Sequence, residues 1–82
     1  MKRKEIEERF RAIVMNTLNV EESELKDGAR FQKDLYADSL DWVDMLIDTE
    51  KEFGISITDE EALGVVTYGD AVDLITRKTE EL

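Results

Sequence analysis

The most informative part of the sequence is residues 34–53, which read DLYADSLDWVDMLIDTEKEF. Asp38 is a favourable N-cap residue, and Asp41 follows at the third position after it, where its side chain can reach back to form a capping box. Gly54 comes directly after the last apolar residue, as is usual where a helix ends. The pattern therefore predicts a helix that begins at Ser39 and ends before Gly54.

This helix has three faces when its residues are placed about 100° apart. The face expected to pack on the core consists of Trp42, Leu46, Thr49 and Phe53. A polar stripe of mostly carboxylates consists of Asp41, Asp44, Asp48, Lys51 and Glu52. A second apolar strip lies between those two faces and consists of Leu40, Val43 and Ile47. A surface helix normally has one apolar face, so this strip either binds a partner or is covered by a neighbouring helix.

Helical spacing and capping residues predict three further helices. The first spans about residues 4–18, where apolar residues recur at intervals of three and four. A short third helix follows Thr58, the first residue of a capping box, and cannot extend far beyond Gly64. A last helix follows Thr67 and ends near Lys78, where cationic side chains suit a helix C-terminus.

Two connections complete the predicted fold. Residues 19–37 form a long first loop, which is either functional or contains a short helical turn near residues 21–25. Residues 54–57 alternate like a strand, but a single short strand would have no partner, so a loop is expected. Because the chain has no proline and no linker composition, residues 1–82 are predicted to form a single all-α domain, a small four-helix bundle with a short third helix.

The charge of the chain limits its partners. There are 21 acidic residues against 11 basic ones, a formal net charge of −10, so the basic footprint that nucleic-acid binding requires is missing. Residues 34–76 hold twelve acids and one base, Lys51. This acidic surface either attracts basic protein partners or only keeps the chain in solution. No apolar stretch is long enough for membrane insertion, and we expect a monomer in the cytoplasm.

The residue types that are missing exclude most catalytic sites. Cysteine and histidine are both absent, which removes thiolate nucleophiles, disulfides and the commonest general base. Carboxylate pairs such as Asp41 and Asp44 lie on a predicted helix surface, where nothing raises a pKa for acid and base work. No segment has the spacing of a calcium-binding loop. We therefore expect neither an enzyme nor a metal site.

Ser39 is the first residue of the predicted second helix. A phosphate on its hydroxyl would lie against unpaired backbone N–H groups at the positive end of the helix. Serine is also common at this position for purely structural reasons, and no histidine is available to activate it as a nucleophile. Ser39 is therefore either a structural residue or one that another enzyme modifies.

The sequence around Ser39 resembles the acyl carrier proteins. The matching residues are Asp34-Leu35-Tyr36-Ala37-Asp38-Ser39-Leu40-Asp41, then Val43, Glu50, Glu52 and Phe53, and then Ile57-Thr58-Asp59-Glu60-Glu61-Ala62. The resemblance covers nearly the whole chain. It implies a carrier without catalytic activity, to whose motif serine, here Ser39, a phosphopantetheinyl transferase attaches 4′-phosphopantetheine from coenzyme A. The thiol of that arm would hold acyl groups as thioesters, which accounts for a thioester carrier that contains no cysteine.

The resemblance also implies partner and pocket residues. Asp38 is the motif residue adjacent to the attachment point. Acyl synthases and acyltransferases of fatty acid or polyketide type, with basic docking patches, would contact the second helix. The contact residues implied by position are Asp38, Leu40, Asp41, Val43, Asp44, Ile47 and Glu50. The acyl group would be sheltered between the helices, with Trp42, Leu46 and Ala71 as candidate lining residues.

Four residues depart from the commonest pattern of the family: Tyr36, Trp42, Lys51 and Thr58. Tyr36 stands where a glycine usually precedes the motif, and the bulk of Trp42 would shrink an acyl cavity. These differences favour a specialised carrier over a general fatty acid carrier. Two alternatives remain open from the sequence: a peptidyl or D-alanyl carrier, and an acidic protein-binding adaptor without a prosthetic group.

Overall fold

The structure is a computed structural model that describes residues 1–82. It contains four α-helices and one short 3₁₀ helix. The α-helices are α1 (Arg3–Leu18), α2 (Ser39–Phe53), α3 (Asp59–Leu63) and α4 (Tyr68–Glu80), and the 3₁₀ helix is Glu22–Glu24. The predicted all-α bundle with a short third helix is confirmed, and so are the turn inside the long first loop and the loop over residues 54–57.

The helix ends lie where local chemistry predicts them. Capping boxes open α2, α3 and α4, and in each the N-cap side chain accepts a hydrogen bond from the backbone N–H three residues later. Asn19 ends α1 and Gly54 ends α2, both in the left-handed conformation, with φ of 55° and 63°. These ends differ from the predicted ones by at most two residues.

The hydrophobic core is formed by α1, α2, α4 and the first loop. Its thirteen residues are Ile6, Phe10, Val14, Phe31, Leu35, Ala37, Met45, Phe53, Ile55, Tyr68, Ala71, Val72 and Ile75. The ring of Phe10 lies at the centre of an aromatic group, with ring centroids 5.5 Å from Tyr68 and 6.4 Å from Phe31. The first loop is therefore part of the packed interior.

The buried face of α2 differs from the predicted one. Met45, Thr49 and Phe53 are buried, whereas Trp42 and Leu46 are only partly buried. Residues at i, i+4 and i+8 form one ridge along a helix, and the ridge from Met45 to Phe53 is the one that enters the core. Trp42 and Leu46 lie to one side of this ridge.

Three backbone hydrogen bonds join the first loop to the start of α4 and to the residue just before its N-cap. The N–H of Gly69 donates to Asp27 O at 2.9 Å, Tyr68 N–H donates to Ala29 O at 2.8 Å, and Phe31 N–H donates to Val66 O at 3.1 Å. Gly69 is required here because a Cβ at its position would lie 2.9 Å from the carbonyl oxygen of Asp27. These bonds hold the loop beside the start of α2.

Candidate functional site

Ser39 is the first residue of α2, and its side chain is exposed. The backbone on either side is fixed by a reciprocal capping box. Asp38 Oδ1 accepts a hydrogen bond from Asp41 N–H at 2.8 Å, and Asp41 Oδ2 accepts one from Asp38 N–H at 3.2 Å. The hydroxyl of Ser39 therefore projects from a rigid helix start into solvent, where another protein can reach it.

The turn before Ser39 is held by a second set of hydrogen bonds. Asp34 Oδ2 accepts from the backbone N–H of Arg30 at 2.8 Å and from its Nε at 3.0 Å. These bonds to Arg30, led by the side-chain bond, hold the pKa of Asp34 below its usual value. Ala37 N–H donates to Phe31 O at 2.8 Å. Between these anchors Tyr36 has a φ of 58° and is 83% exposed.

The second apolar strip of α2 is open to solvent. Leu40 is 76% exposed, and Val43 and Ile47 are each almost half exposed, so no neighbouring helix covers the strip. Asp44 is exposed and Asp41 is partly buried. No ion pair within the chain involves the four aspartates of α2 and its cap, which are Asp38, Asp41, Asp44 and Asp48. Their charge is free to act on another molecule.

Glu50 differs from the other residues of the implied contact set because its side chain bonds to a segment beyond the end of α2. It is partly buried, and its Oε2 accepts a hydrogen bond from the backbone N–H of Ile57 at 2.8 Å. This bond joins the last turn of α2 to the loop before α3. Glu50 therefore has a structural role, which the sequence did not indicate because its partner lies seven residues away in an irregular segment.

Ser39 lies on a groove of about 510 Å³, here called the attachment groove. The groove runs between the first loop, the start of α2 and the segment around α3. Its lining residues are Arg30, Phe31, Gln32, Lys33, Ala37, Asp38, Ser39, Trp42, Val43, Ala62, Leu63, Val65 and Val66. The mostly apolar lining fits an arm that is largely uncharged beyond its phosphate, and Lys33 is the groove cation that no carboxylate of the chain pairs, since Arg30 pairs with Asp34.

A separate interior cavity of about 30 Å³ lies between α2 and α4. Trp42, Leu46 and Ala71, the three candidate pocket residues, all line it. The other lining residues are Phe10, Phe31, Met45, Thr49, Ile57, Val65, Leu74 and Ile75. A volume of this size holds about one water molecule, so the cavity as it stands has no room for an acyl chain.

Leu63 and Val66 are groove residues that the sequence analysis missed. Leu63 is 84% exposed and Val66 is 55% exposed. The sequence did contain a sign of their exposure. Both are large apolar residues close to Gly64, and neither belongs to the core-facing pattern of a predicted helix. Their position beside Ser39 depends on how the segment after α3 packs on the first loop.

The other large surface groove, of about 530 Å³ between α3 and α4, has a mostly polar lining and does not include Ser39. No group of three or more His, Cys, Asp or Glu side chains is arranged to hold a metal ion. None of the helices is both long and apolar enough to cross a membrane. The exposed serine, the attachment groove and the acidic and apolar surface of α2 therefore form the candidate functional site.

Three comparisons with known proteins each find chains similar to this one. The family model described as "Phosphopantetheine attachment site" matches residues 8–75. Acyl carrier proteins from two strains of Porphyromonas gingivalis are each 45% identical over 73 residues, which is 89% of this chain and 94% of theirs. A solved structure of the acyl carrier protein from Enterococcus faecalis superposes with a TM-score of 0.81 at 33% identity, covering 95% of this chain and 99% of that one.

Proposed function

Because this chain belongs to the acyl carrier proteins, non-catalytic carriers that bear a covalent 4′-phosphopantetheine, we propose that Ser39 is its attachment point. The exposure of Ser39 at the capped start of α2 is the observation that carries this proposal. Ser23 and Ser56 are also exposed, but neither lines the attachment groove. The cargo is an acyl intermediate held as a thioester on the terminal thiol.

The attachment reaction is the work of a phosphopantetheinyl transferase. A bond forms between Ser39 Oγ and the phosphorus of the pantetheine phosphate, the pyrophosphate bond of coenzyme A breaks, and adenosine 3′,5′-bisphosphate leaves. The proton of the hydroxyl passes to a base of the transferase, since this chain contains no histidine. The carrier supplies a fixed backbone at Ser39 and an open groove that admits the transferase.

The partner enzymes of fatty acid or polyketide type dock, in this proposal, on the exposed surface of α2. Leu40, Val43 and Ile47 supply apolar anchors, and the unpaired carboxylates of Asp41 and Asp44 orient basic partners as they approach. Glu50 contributes indirectly, by holding the end of α2. The single cation on this helix, Lys51, is exposed and favours partners that offer it an acidic side chain.

The test of the attachment point is the intact mass of the protein after incubation with coenzyme A and a phosphopantetheinyl transferase of broad specificity. We expect one phosphopantetheine adduct on the wild type and none on Ser39→Ala. Ser56→Ala is the matched control, because it removes an exposed serine elsewhere and should gain the adduct normally. An adduct on Ser39→Ala would overturn the proposal. A wild type that gains none would favour the acidic adaptor.

The docking surface is tested with the same transferase. Asp44→Lys and Ile47→Ser should each lower kcat/KM for modification several-fold, because one removes a steering charge and the other an apolar anchor. Glu80→Lys, which makes the same charge reversal at the end of α4, should leave kcat/KM unchanged. Equal losses in Asp44→Lys and Glu80→Lys, with Ile47→Ser unchanged, would mean that net charge, and not this surface, governs docking.

A further inference from the structure

Three side chains separate the attachment groove from the interior cavity. Phe31, Trp42 and Val65 line both spaces, whereas Ser39 lines only the groove and Leu46 only the cavity. A group carried on Ser39 that passes from the groove into the cavity between α2 and α4 would therefore meet this wall of three side chains.

Ring packing and backbone hydrogen bonds hold the side chains of this wall in place. The rings of Phe31 and Trp42 pack edge to face, with centroids 5.3 Å apart and planes at 60°. Phe31 is buried, its N–H donates to Val66 O at 3.1 Å, and its carbonyl accepts from Ala37 N–H at 2.8 Å. The backbone bonds hold the main chain of Phe31 in place, and rotating either ring away from the other would lose the edge-to-face packing between the first loop and α2.

The two spaces also differ greatly in size. The interior cavity holds about 30 Å³ and the attachment groove about 510 Å³, and ligand pockets usually have volumes of about 300–1,000 Å³. The groove already offers apolar surface to a ligand, because Leu63 and Val66 are more than half exposed on its rim.

From this geometry we propose that the acyl group on Ser39 lies in the attachment groove against Trp42, Leu63 and Val66, and that Trp42 keeps it out of the interior cavity. The inference rests on the proposed attachment at Ser39. Trp42 would then determine which acyl groups the carrier shelters. Short or flat apolar acyl groups would fit, because the groove covers them on one side. Longer chains would extend beyond the groove into solvent.

Chemical shifts of methyl groups give a direct test. Acetyl, butyryl and octanoyl forms of the carrier are each compared with the form whose arm carries no acyl group, after intact mass confirms a single loaded arm. The methyl groups of Leu63 and Val66 should shift, and so should the fluorescence of Trp42, the only tryptophan. The methyl groups of Leu46, Ala71 and Leu74, which line only the cavity, should stay unchanged.

Two variants give a second test of where the acyl group lies. The double change Leu63→Ser with Val66→Ser alters exposed side chains only, so the fold should persist while the acyl-dependent fluorescence shift of Trp42 disappears. Trp42→Leu should open the wall, and octanoyl loading should then shift Leu46 and Leu74. Shifts at Leu46 and Leu74 in the loaded wild type would overturn the inference while leaving Ser39 attachment intact. Absence of loading would instead contradict the proposed function.

Discussion

Tyr36 is an exposed aromatic residue held in a backbone conformation that suits glycine. Its φ of 58° lies in the left-handed region, which costs a residue with a Cβ roughly 1–2 kcal/mol. The hydrogen bonds of Asp34 and Ala37 on either side impose this conformation. The family resemblance pointed to this position, because glycine is usual there. The residues around Tyr36 contain no feature that would predict a positive φ.

Replacing Tyr36 separates the effect of the backbone from that of the ring. Tyr36→Gly should be more stable than Tyr36→Ala by about 1 kcal/mol, because alanine keeps the strained φ and glycine relieves it. Both variants lose the same exposed ring, so the comparison is matched. The free energy of unfolding in urea measures the difference, and equal stabilities would mean that the turn relaxes without strain.

Asp70 is the acidic residue that holds the start of α4. Its Oδ2 accepts hydrogen bonds from the backbone N–H groups of Val66 and Thr67, each at 3.1 Å. These bonds, led by those of Thr67, lower the pKa of Asp70 from its usual value of 3.8. A carboxylate whose pKa is lower in the folded state stabilises the fold above its unfolded pKa, and that contribution is lost as pH falls through the folded pKa.

The Asp70→Asn variant tests this dependence. Asparagine keeps an acceptor oxygen but has no charge to lose. The wild type should therefore be the more stable of the two above about pH 4, and the difference should shrink steadily as the pH falls below that value. Unfolding free energies measured in urea from pH 3 to pH 7 give this difference directly. A gap that does not change with pH would contradict the assignment of the pKa shift to Asp70.

Helix α3 has only five residues, and the side chain of Glu61 links it to α4. Glu61 accepts a hydrogen bond from the backbone N–H of Thr58 at 3.0 Å and pairs with Lys78 Nζ at 3.2 Å. The bond from Thr58, followed by that from Lys78, lowers the pKa of Glu61. Helices this short are unstable alone, so we expect the link to α4 to help hold α3 at the rim of the attachment groove.

Substitutions in α4 should therefore affect the mobility of α3. Lys78→Met should speed hydrogen exchange at the Ala62 N–H, which donates to Thr58 O at 2.9 Å, because it removes the partly buried partner of Glu61. Arg77→Met is the control: Arg77 lies 3.7 Å from the same carboxylate and its side chain is 62% exposed, so exchange should change little. Equal exchange in both variants would show that α3 is held by apolar packing alone.

The helices were predictable from the sequence because their boundaries depend on near neighbours. The capping boxes of α2, α3 and α4 join residues three positions apart, and Asn19, Gly54 and Gly64 mark the ends of α1, α2 and α3. The burial of Met45 in place of Trp42 was not predictable, since the orientation of α2 is set by the helices packed against it. The contact of Gly69 with Asp27 joins residues that are distant in sequence, and it has no local signal.

The candidate site was predictable to a similar extent. The motif and the helical spacing single out Ser39 and the apolar strip of α2, but the spacing alone left open whether a neighbouring helix covers the strip. The structural role of Glu50 and the separation of groove from cavity were not predictable, because both depend on side chains from different elements meeting in space. Leu63 and Val66 are the clearest example, since only the packed loop brings them beside Ser39.

The whole molecule carries a net charge of −10, and the unpaired carboxylates of α2 concentrate repulsion on one side. Added salt screens such repulsion. We expect Tm to rise by several degrees between low and moderate sodium chloride, and further with magnesium chloride. Asp44→Asn should show a smaller rise than the wild type. A Tm that does not depend on salt would mean that repulsion does not limit stability.

The three backbone bonds between the first loop and the start of α4 also bear on the order of synthesis. The Asp-Ser-Leu motif is complete once residue 40 has been made, but Val65 and Val66, which line the groove beside it, come much later. A nascent chain therefore displays the modification sequence well before it possesses the modification site. A transferase that recognises the assembled groove would pass over unfinished and unfolded chains and load only carriers that have finished folding.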